Sequence, residues 1–211
     1  FPHPAPLDLG AGVTITAAEA AAGKLIIGTD DGRVATWDYD AIDDTPSFQT
    51  AFDGEQVNAF FFNGTDWLAL GGGGQARIIG DDGAPKGEAV TIGDASPLYT
   101  ARWANERWLI GTSSSFVIEV QEDLSLLVDY PEPLGGDEVL AADPGGDVVA
   151  VVGAGGKYAI VSDRGDMVSG VKTSAAGGDL FTASYNGTNF FIGGTGGVGY
   201  QIDPAGELVG D

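Results

Sequence analysis

Two stretches of the chain decide its fold: Asn63-Gly64-Thr65-Asp66-Trp67-Leu68 and Asn186-Gly187-Thr188-Asn189-Phe190-Phe191. They align without a gap and lie 123 residues apart, which is three steps of 41. Further steps of 41, or 42 toward the N-terminus, find the other copies of the same pattern. Self-similarity at a fixed period of about 20 to 50 residues is the signature of a repeat architecture. The sequence therefore predicts five repeats of about 41 residues between about residue 13 and residue 211.

The aligned repeats hold apolar residues at fixed positions. One aliphatic column comprises Ile15, Val57, Leu98, Val139 and Leu180. A second column, mostly β-branched, comprises Trp37, Ile79, Val120, Val161 and Ile202. A third comprises Ile26, Leu68, Leu109, Ala150 and Phe191. Agreement of this kind across five copies indicates that every repeat contributes the same positions to a hydrophobic core.

Each repeat is predicted to form four short strands. In the second copy these cover residues 57–62, 67–70, 76–79 and 89–92, and Asn63-Gly64 is typical of a hairpin turn that needs positive φ. The 35 glycines of the chain fit an all-β fold with many tight turns. A lone four-stranded unit cannot cover both of its faces, so neighbouring units must stack. We expect an all-β fold: a five-bladed β-propeller of four-stranded antiparallel blades, in one domain over residues 1–211.

The two ends of the chain predict how the ring closes. The fifth repeat reaches Asp211 without a fourth strand. Leu7-Asp8-Leu9 stands before Ile15 at the same distance as residues 90–92 stand before Leu98. We expect an N-terminal strand at about residues 6–10 to complete the last blade, which would remove an open sheet edge.

One stretch carries a family resemblance. Gly32-Arg33-Val34-Ala35-Thr36-Trp37-Asp38 resembles the Gly-x-Val-x-x-Trp-Asp ending of WD-type repeats. Only the first copy has the Trp-Asp pair, and no copy has the Gly-His dipeptide of that family. The resemblance implies a WD-like propeller architecture and implies no particular activity.

Charge and composition exclude several functions. The chain has 31 acidic and 9 basic residues, a formal charge of −22, which repels nucleic acid and anionic membranes and favours cationic partners or a salt-rich environment. It has no cysteine, and His3 is its one histidine, so thiol chemistry, a serine–histidine triad and a histidine metal site are not expected. No apolar run reaches the roughly 18 residues of a membrane-spanning helix. We predict no cofactor and no metal, because the Asp-rich turns at residues 30–32, 81–83 and 163–166 lack a calcium-loop spacing. Weak calcium binding at these turns is the alternative.

Carboxylates are the remaining route to catalysis. An inner-strand column comprises Glu19, Phe61, Arg102, Asp143 and Ser184. Glu19 and Asp143 flanking Arg102 would form a small polar site, and paired carboxyl groups are what glycosidases use. The alternative is a solvated rim with one structural ion pair. We predict that the chain is not an enzyme, with glycoside hydrolysis as the one enzyme class left open.

A neighbouring column places aromatic residues just before the first turn of a blade. It comprises Ala20, Phe62, Trp103, Pro144 and Tyr185. Aromatic side chains beside polar turns suit contact with a peptide or a carbohydrate. The alternative is that these rings pack over the adjacent blade.

Taken together, these patterns predict a non-catalytic binding or scaffolding propeller that holds a protein or peptide partner on one rim. A carbohydrate-binding, lectin-like propeller is the alternative. The candidate binding rim comprises Phe62, Trp103, Tyr185, Glu19, Arg102 and Asp143. The start at Phe1 instead of a methionine favours a secreted, periplasmic or cell-surface protein, with the cytoplasm of a salt-adapted organism as the alternative. The ring could also be one component of a larger assembly.

Overall fold

The computed structural model describes residues 12–38, 40, 46–104, 106–113, 117–130 and 132–210. The chain divides into two compact units, which cover Phe1–Leu98 (unit 1) and Tyr99–Asp211 (unit 2). The predicted closing strand at residues 6–10 lies outside the described residues. The prediction of one domain over residues 1–211 stays a prediction.

Unit 1 contains two antiparallel sheets whose strands pair in chain order. Sheet 1 consists of β1 (Ile15–Ala21), β2 (Lys24–Thr29), β3 (Arg33–Asp38) and β4 (Gln49–Thr50). Sheet 2 consists of β5 (Val57–Phe62), β6 (Trp67–Gly71), β7 (Gln75–Ile79) and β8 (Pro85–Thr91). The first three strands of sheet 2 agree with the predicted bounds to within a residue. The fourth begins at Pro85 instead of residue 89, because an outer strand tolerates a proline where no ladder donor is needed.

Unit 2 continues the same pattern in three further sheets. Sheet 3 consists of β9 (Leu98–Ala104, which starts at the last residue of unit 1), β10 (Arg107–Thr112), β11 (Val117–Val120) and β12 (Leu126–Tyr130). Sheet 4 consists of β13 (Val139–Gly145), β14 (Val148–Gly153), β15 (Lys157–Ser162) and β16 (Lys172–Thr173). Sheet 5 has three strands among the described residues: β17 (Leu180–Tyr185), β18 (Phe190–Gly194) and β19 (Gly199–Ile202).

The hydrophobic core lies between neighbouring sheets. In unit 1, buried Ile26 and Val34 of sheet 1 belong to one cluster with Val57 and Trp67 of sheet 2. In unit 2 one cluster joins sheets 3 and 4, and another joins sheets 4 and 5. Burying a large apolar side chain stabilises the fold by about 1.5–3 kcal/mol. Because this burial requires the next sheet, the units are stacks of repeats that stabilise one another, as the sequence predicts.

One backbone hydrogen bond recurs across four of the repeats. The residue that follows the second strand donates its N–H to the carbonyl oxygen of the residue preceding the first strand. The four bonds are Asp30 to Thr14 (3.0 Å), Gly72 to Gln56 (3.0 Å), Ala154 to Glu138 (3.0 Å) and Thr195 to Asp179 (2.8 Å). At Gly153 an added Cβ would lie 1.9 Å from the Glu138 oxygen, so this close approach requires glycine.

The two stretches that decide the fold adopt the same turn. The N–H groups of Thr65 and Asp66 donate to Oδ1 of Asn63 over 2.9 and 2.7 Å. The corresponding bonds to Oδ1 of Asn186 measure 3.0 and 2.8 Å. Positive φ occurs at the glycine of each turn, 103° at Gly64 and 97° at Gly187. The predicted hairpin turn is therefore confirmed, with the asparagine acting through its side chain.

Helical structure is confined to short turns. Three 3₁₀ turns follow the second strands of sheets 2, 4 and 5, at Gly72–Gly74, Ala154–Gly156 and Thr195–Gly197. None of the helices in the described part of the chain has the length and apolar character needed to cross a membrane.

Candidate functional site

Each of the three predicted aromatic residues packs on a second ring in its own sheet. Phe62, Trp103 and Tyr185 end the first strand of their sheets, and the partner ring starts the second strand. The pairs are Phe62 with Trp67, Trp103 with Trp108, and Tyr185 with Phe190, each with ring centroids 4.8 Å apart. The partner rings are fully buried, whereas the three predicted residues are half-buried. Part of each predicted ring therefore serves packing within its own hairpin. Phe62 and Tyr185 also pack against the clusters that join their sheets to the preceding ones.

Arg102 and Asp143 form an ion pair between sheets 3 and 4. The Arg102 Nε lies 2.9 Å from Oδ1 of Asp143. Oδ2 of Asp143 accepts the N–H of Tyr185 in sheet 5 over 2.7 Å. Burial raises the pKa of Asp143, while the Tyr185 N–H and the Arg102 guanidinium act in the opposite direction. Asp143 thus links all three sheets of unit 2.

The third predicted polar residue, Glu19, lies in β1 of unit 1 and is exposed. The structure therefore brings together two of the three predicted polar residues. That Glu19 flanks Arg102 stays a prediction.

A cavity of about 220 Å³ lies between sheets 3 and 4. Its buried side is formed by Leu109, Val149 and Glu119. The exposed charged residues at its opening are Arg102, Arg107, Asp147 and Asp163. The remaining lining comes from the β13–β14 turn and the start of β14. The cavity therefore combines a base of two apolar side chains and one buried carboxylate with a charged opening.

Glu119 is a buried carboxylate whose two oxygens both accept hydrogen bonds. The Arg107 guanidinium pairs with one oxygen, and the Tyr130 hydroxyl donates to the other over 2.9 Å. The bond to Glu119 raises the pKa of Arg107, and the charge of Asp163 raises it further. Burial raises the pKa of Tyr130, with Glu119 adding to the effect. Since an unpaired buried carboxylate is costly, these two donors are what permits Glu119 at this position.

Asp147 and Asp163 stand at the opening of the cavity on two turns of sheet 4. The N–H of Asp163 donates to the carbonyl oxygen of Asp147 over 2.9 Å, which fixes the two turns relative to each other. Within the ranges that the structure describes, neither carboxylate forms an ion pair. By contrast, seven of the nine Lys and Arg residues of the chain are ion-paired with described residues.

Sequence reasoning missed Arg107, Glu119, Asp147 and Asp163. The best available signal was Glu119, because it occupies a position that holds no charge in the other repeats. The residues at that position are Thr36, Ile78, Glu119, Ile160 and Gln201. The described residues contain no group of three or more side chains arranged to hold a metal ion.

The comparisons with known proteins show the fold of the chain and nothing about its activity or partners. No family model matches the chain, and no curated protein matches it. The WD40 beta propeller domain of Doa1 is similar to it with a TM-score of 0.72 at 12% identity, over 95% of this chain and 69% of that chain. The computationally designed Ika8 protein is similar with a TM-score of 0.71 at 15% identity, over 93% of this chain. The chain spans 60% of the length of Ika8.

The five antiparallel sheets and the likeness to the Doa1 domain define the class of the protein as a β-propeller. The WD-like architecture implied by residues 32–38 is therefore confirmed at the level of the fold.

Proposed function

We propose that this chain is a non-catalytic β-propeller that binds a protein or peptide partner on one rim. The observation that carries the proposal is the cavity between sheets 3 and 4, where four exposed charged side chains surround an apolar base. Interfaces between proteins combine these elements, a desolvated apolar centre and a polar border. Arg102, an exposed residue of β9, contributes a charged contact to this opening.

The contacts made by Asp143, the buried carboxylate of the inner-strand column, do not favour catalysis. A glycosidase needs one carboxyl group to move a proton and a second to act as nucleophile or base. Asp143 is instead held by Arg102 and by the N–H of Tyr185, which suits a structural role. The carbohydrate-binding alternative uses the same three aromatic rings as the peptide-binding proposal, and each of these rings already packs on a second ring.

We also propose that the five sheets form a five-bladed ring, with residues 6–10 adding a strand to sheet 5. Among the described residues, sheet 5 has three strands where the other sheets have four. Leu7→Asp combined with Leu9→Asp should then lower the free energy of unfolding and expose apolar surface to a dye. Unchanged urea unfolding in this double variant would contradict the closing strand.

Selection of peptides from a displayed random library tests the proposed function. We expect enriched peptides whose affinity, measured by calorimetry, falls about tenfold in Arg102→Gln, the effect of losing one important interface residue. Lys157→Gln is the matched control, because Lys157 starts β15 whereas Asp163 follows the other end of that strand. The control should bind with unchanged affinity.

A glycan array run in parallel separates the two binding proposals. Glycan hits that are lost in Trp103→Phe, without any enriched peptide, would favour the lectin-like alternative. Enriched peptides that bind Arg102→Gln and the unmodified chain with equal affinity would show that the partner does not bind at this rim.

A further inference from the structure

Unit 1 contains a charged contact that crosses from sheet 1 to sheet 2. Nζ of Lys24, the first residue of β2, lies 3.0 Å from Oδ2 of Asp81 and donates to the Asp81 carbonyl oxygen over 3.0 Å. Asp38 of sheet 1 adds a third contact at 3.4 Å. The hydrogen bond to Asp81 raises the pKa of Lys24, so the ammonium is held in its charged form. A cation therefore joins the two sheets at this position.

The repeat places the same two positions in unit 2. The equivalent of Lys24 in sheet 3 is Arg107, and the equivalent of Asp81 in sheet 4 is Asp163. Arg107 does not form the crossing ion pair, because its guanidinium pairs with Glu119 of its own sheet. In sheet 1 the position of Glu119 is occupied by Thr36, which has no charge to attract Lys24. Within the described part of the chain Asp163 therefore forms no ion pair, although it interacts with the charge of Arg107 at longer range, and the cavity lies at this place.

We propose that this cavity binds a lysine or arginine side chain of the protein partner, with its cation beside Asp147 and Asp163; of these two, Asp163 is the equivalent of the Asp81 that binds Lys24 in unit 1. This inference rests on the proposed function and names the chemistry of the partner.

The size of the cavity and the charge of the chain support this occupant. The cavity measures about 220 Å³, below the roughly 300–1,000 Å³ of pockets for drug-sized molecules, and so suits one inserted side chain. The formal charge of −22 attracts cations and repels anions over the whole surface.

Three capped tripeptides are suitable probes: acetyl-Gly-Lys-Gly-amide, the same peptide with an acetylated lysine side chain, and acetyl-Gly-Glu-Gly-amide. Binding is followed by amide chemical shifts in two-dimensional NMR spectra. We expect the lysine peptide to bind weakly and to shift the amide signals of Gly146, Asp147 and Asp163. The neutral and acidic peptides should leave these signals in place.

Variants of the two carboxylates locate the cation. Asp163→Asn should weaken binding of the lysine peptide about fivefold, the order expected for one charge-assisted hydrogen bond. Asp81→Asn is the matched control in unit 1 and should leave the affinity unchanged. Glu119→Gln offers a second approach that leaves both aspartates intact. It keeps an acceptor for the Tyr130 hydroxyl and frees Arg107 to pair with Asp163, which should also weaken binding.

Each contrary result has a distinct meaning. Equal binding of the neutral peptide, tighter binding of the acidic peptide, or unchanged affinity in Asp163→Asn would overturn the inference. If the library selection succeeds and the lysine peptide fails, the proposed function stands and only the cationic occupant is rejected. If both fail, the proposed function is rejected with it.

Discussion

In unit 1 the second residue of the first strand is polar, whereas in unit 2 the same position holds the large side chains of Tyr99, Leu140 and Phe181, of which the first and the last are exposed. Thr16 of β1 donates its hydroxyl to the carbonyl oxygen of Val57 in the next sheet over 2.6 Å. The equivalent positions in sheets 3 and 5 hold Tyr99 and Phe181, which are 51% and 54% exposed. The ion pairs of two equivalent cations also differ. Lys24 pairs with Asp81 of the next sheet, whereas Arg107 pairs with Glu119 of its own sheet. The backbone hydrogen bonds and the core positions repeat through the chain. Differences in function between the repeats are therefore to be sought in the side chains that differ from one repeat to the next.

The largest expected effect tests what the two units share. Trp67 and Trp108 are equivalent and fully buried, and replacing either by alanine should lower the free energy of unfolding by about 3–5 kcal/mol. Urea unfolding followed by circular dichroism measures both losses. Phe181→Ala, at an exposed position, should change stability by less than about 0.5 kcal/mol. Losses that differ strongly between the two tryptophans would show that the repeats are equivalent in geometry and not in energy.

A smaller effect should separate the two charged sites. Arg107→Met leaves the buried Glu119 with one donor in place of two and should cost about 1–2 kcal/mol. Lys24→Met removes an ion pair with the exposed Asp81 and should cost about 0.2–1 kcal/mol. The same urea measurement ranks them. A greater loss in Lys24→Met would mean that the contact between sheets contributes more than the buried pair within sheet 3.

The smallest expected effect is the pH dependence of the free energy of unfolding, which should have opposite signs for Asp143 of unit 2 and Asp31 of unit 1. The pKa of Asp143 is raised by burial, so its contribution to stability is present below its unfolded value of about 3.8 and is lost as the pH rises through its folded pKa. The pKa of Asp31 in unit 1 is lowered by the Thr29 hydroxyl. Its contribution is present above its unfolded pKa and is lost as the pH falls through its folded pKa.

Unfolding free energies of Asp143→Asn and Asp31→Asn, each compared with the unmodified chain over a pH series, measure these contributions. As the pH rises, the stability advantage of the unmodified chain should shrink in the first comparison and grow in the second. Parallel pH profiles would show that the two carboxylates have the same environment.

The β-propeller fold could be predicted because its determinants repeat. The apolar columns recur about every 41 residues, and the turns at Asn63-Gly64 and Asn186-Gly187 depend on local chemistry that any single copy reveals. The start of β8 was missed because an outer strand pairs on one side only and carries little apolar pattern. Residues 6–10 lie outside the described part of the chain, so the closing strand remains a prediction.

The candidate site was predictable only in part. Arg102 and Asp143 were found because they share one column, and the repeat brings one column to adjacent strands. The cavity depends instead on Arg107, Glu119 and Asp163, which come from three different columns. Whether Arg107 turns toward Glu119 or toward Asp163 depends on side-chain geometry across two sheets. No pattern along the sequence contains that information, although the lone charge at position 119 gives a hint.

The indoles of Trp103 and Trp108, which are tilted against each other, give unit 2 a distinct optical property. Their ring centroids lie 4.8 Å apart with the planes inclined by 57°. At this spacing and tilt the electronic transitions of the two rings couple and produce paired circular-dichroism bands of opposite sign. In unit 1 the ring that packs on Trp67 is a phenyl group, whose coupling is far weaker. Loss of the paired bands therefore reports the unfolding of residues 99–211 separately from that of the preceding half, without any added label.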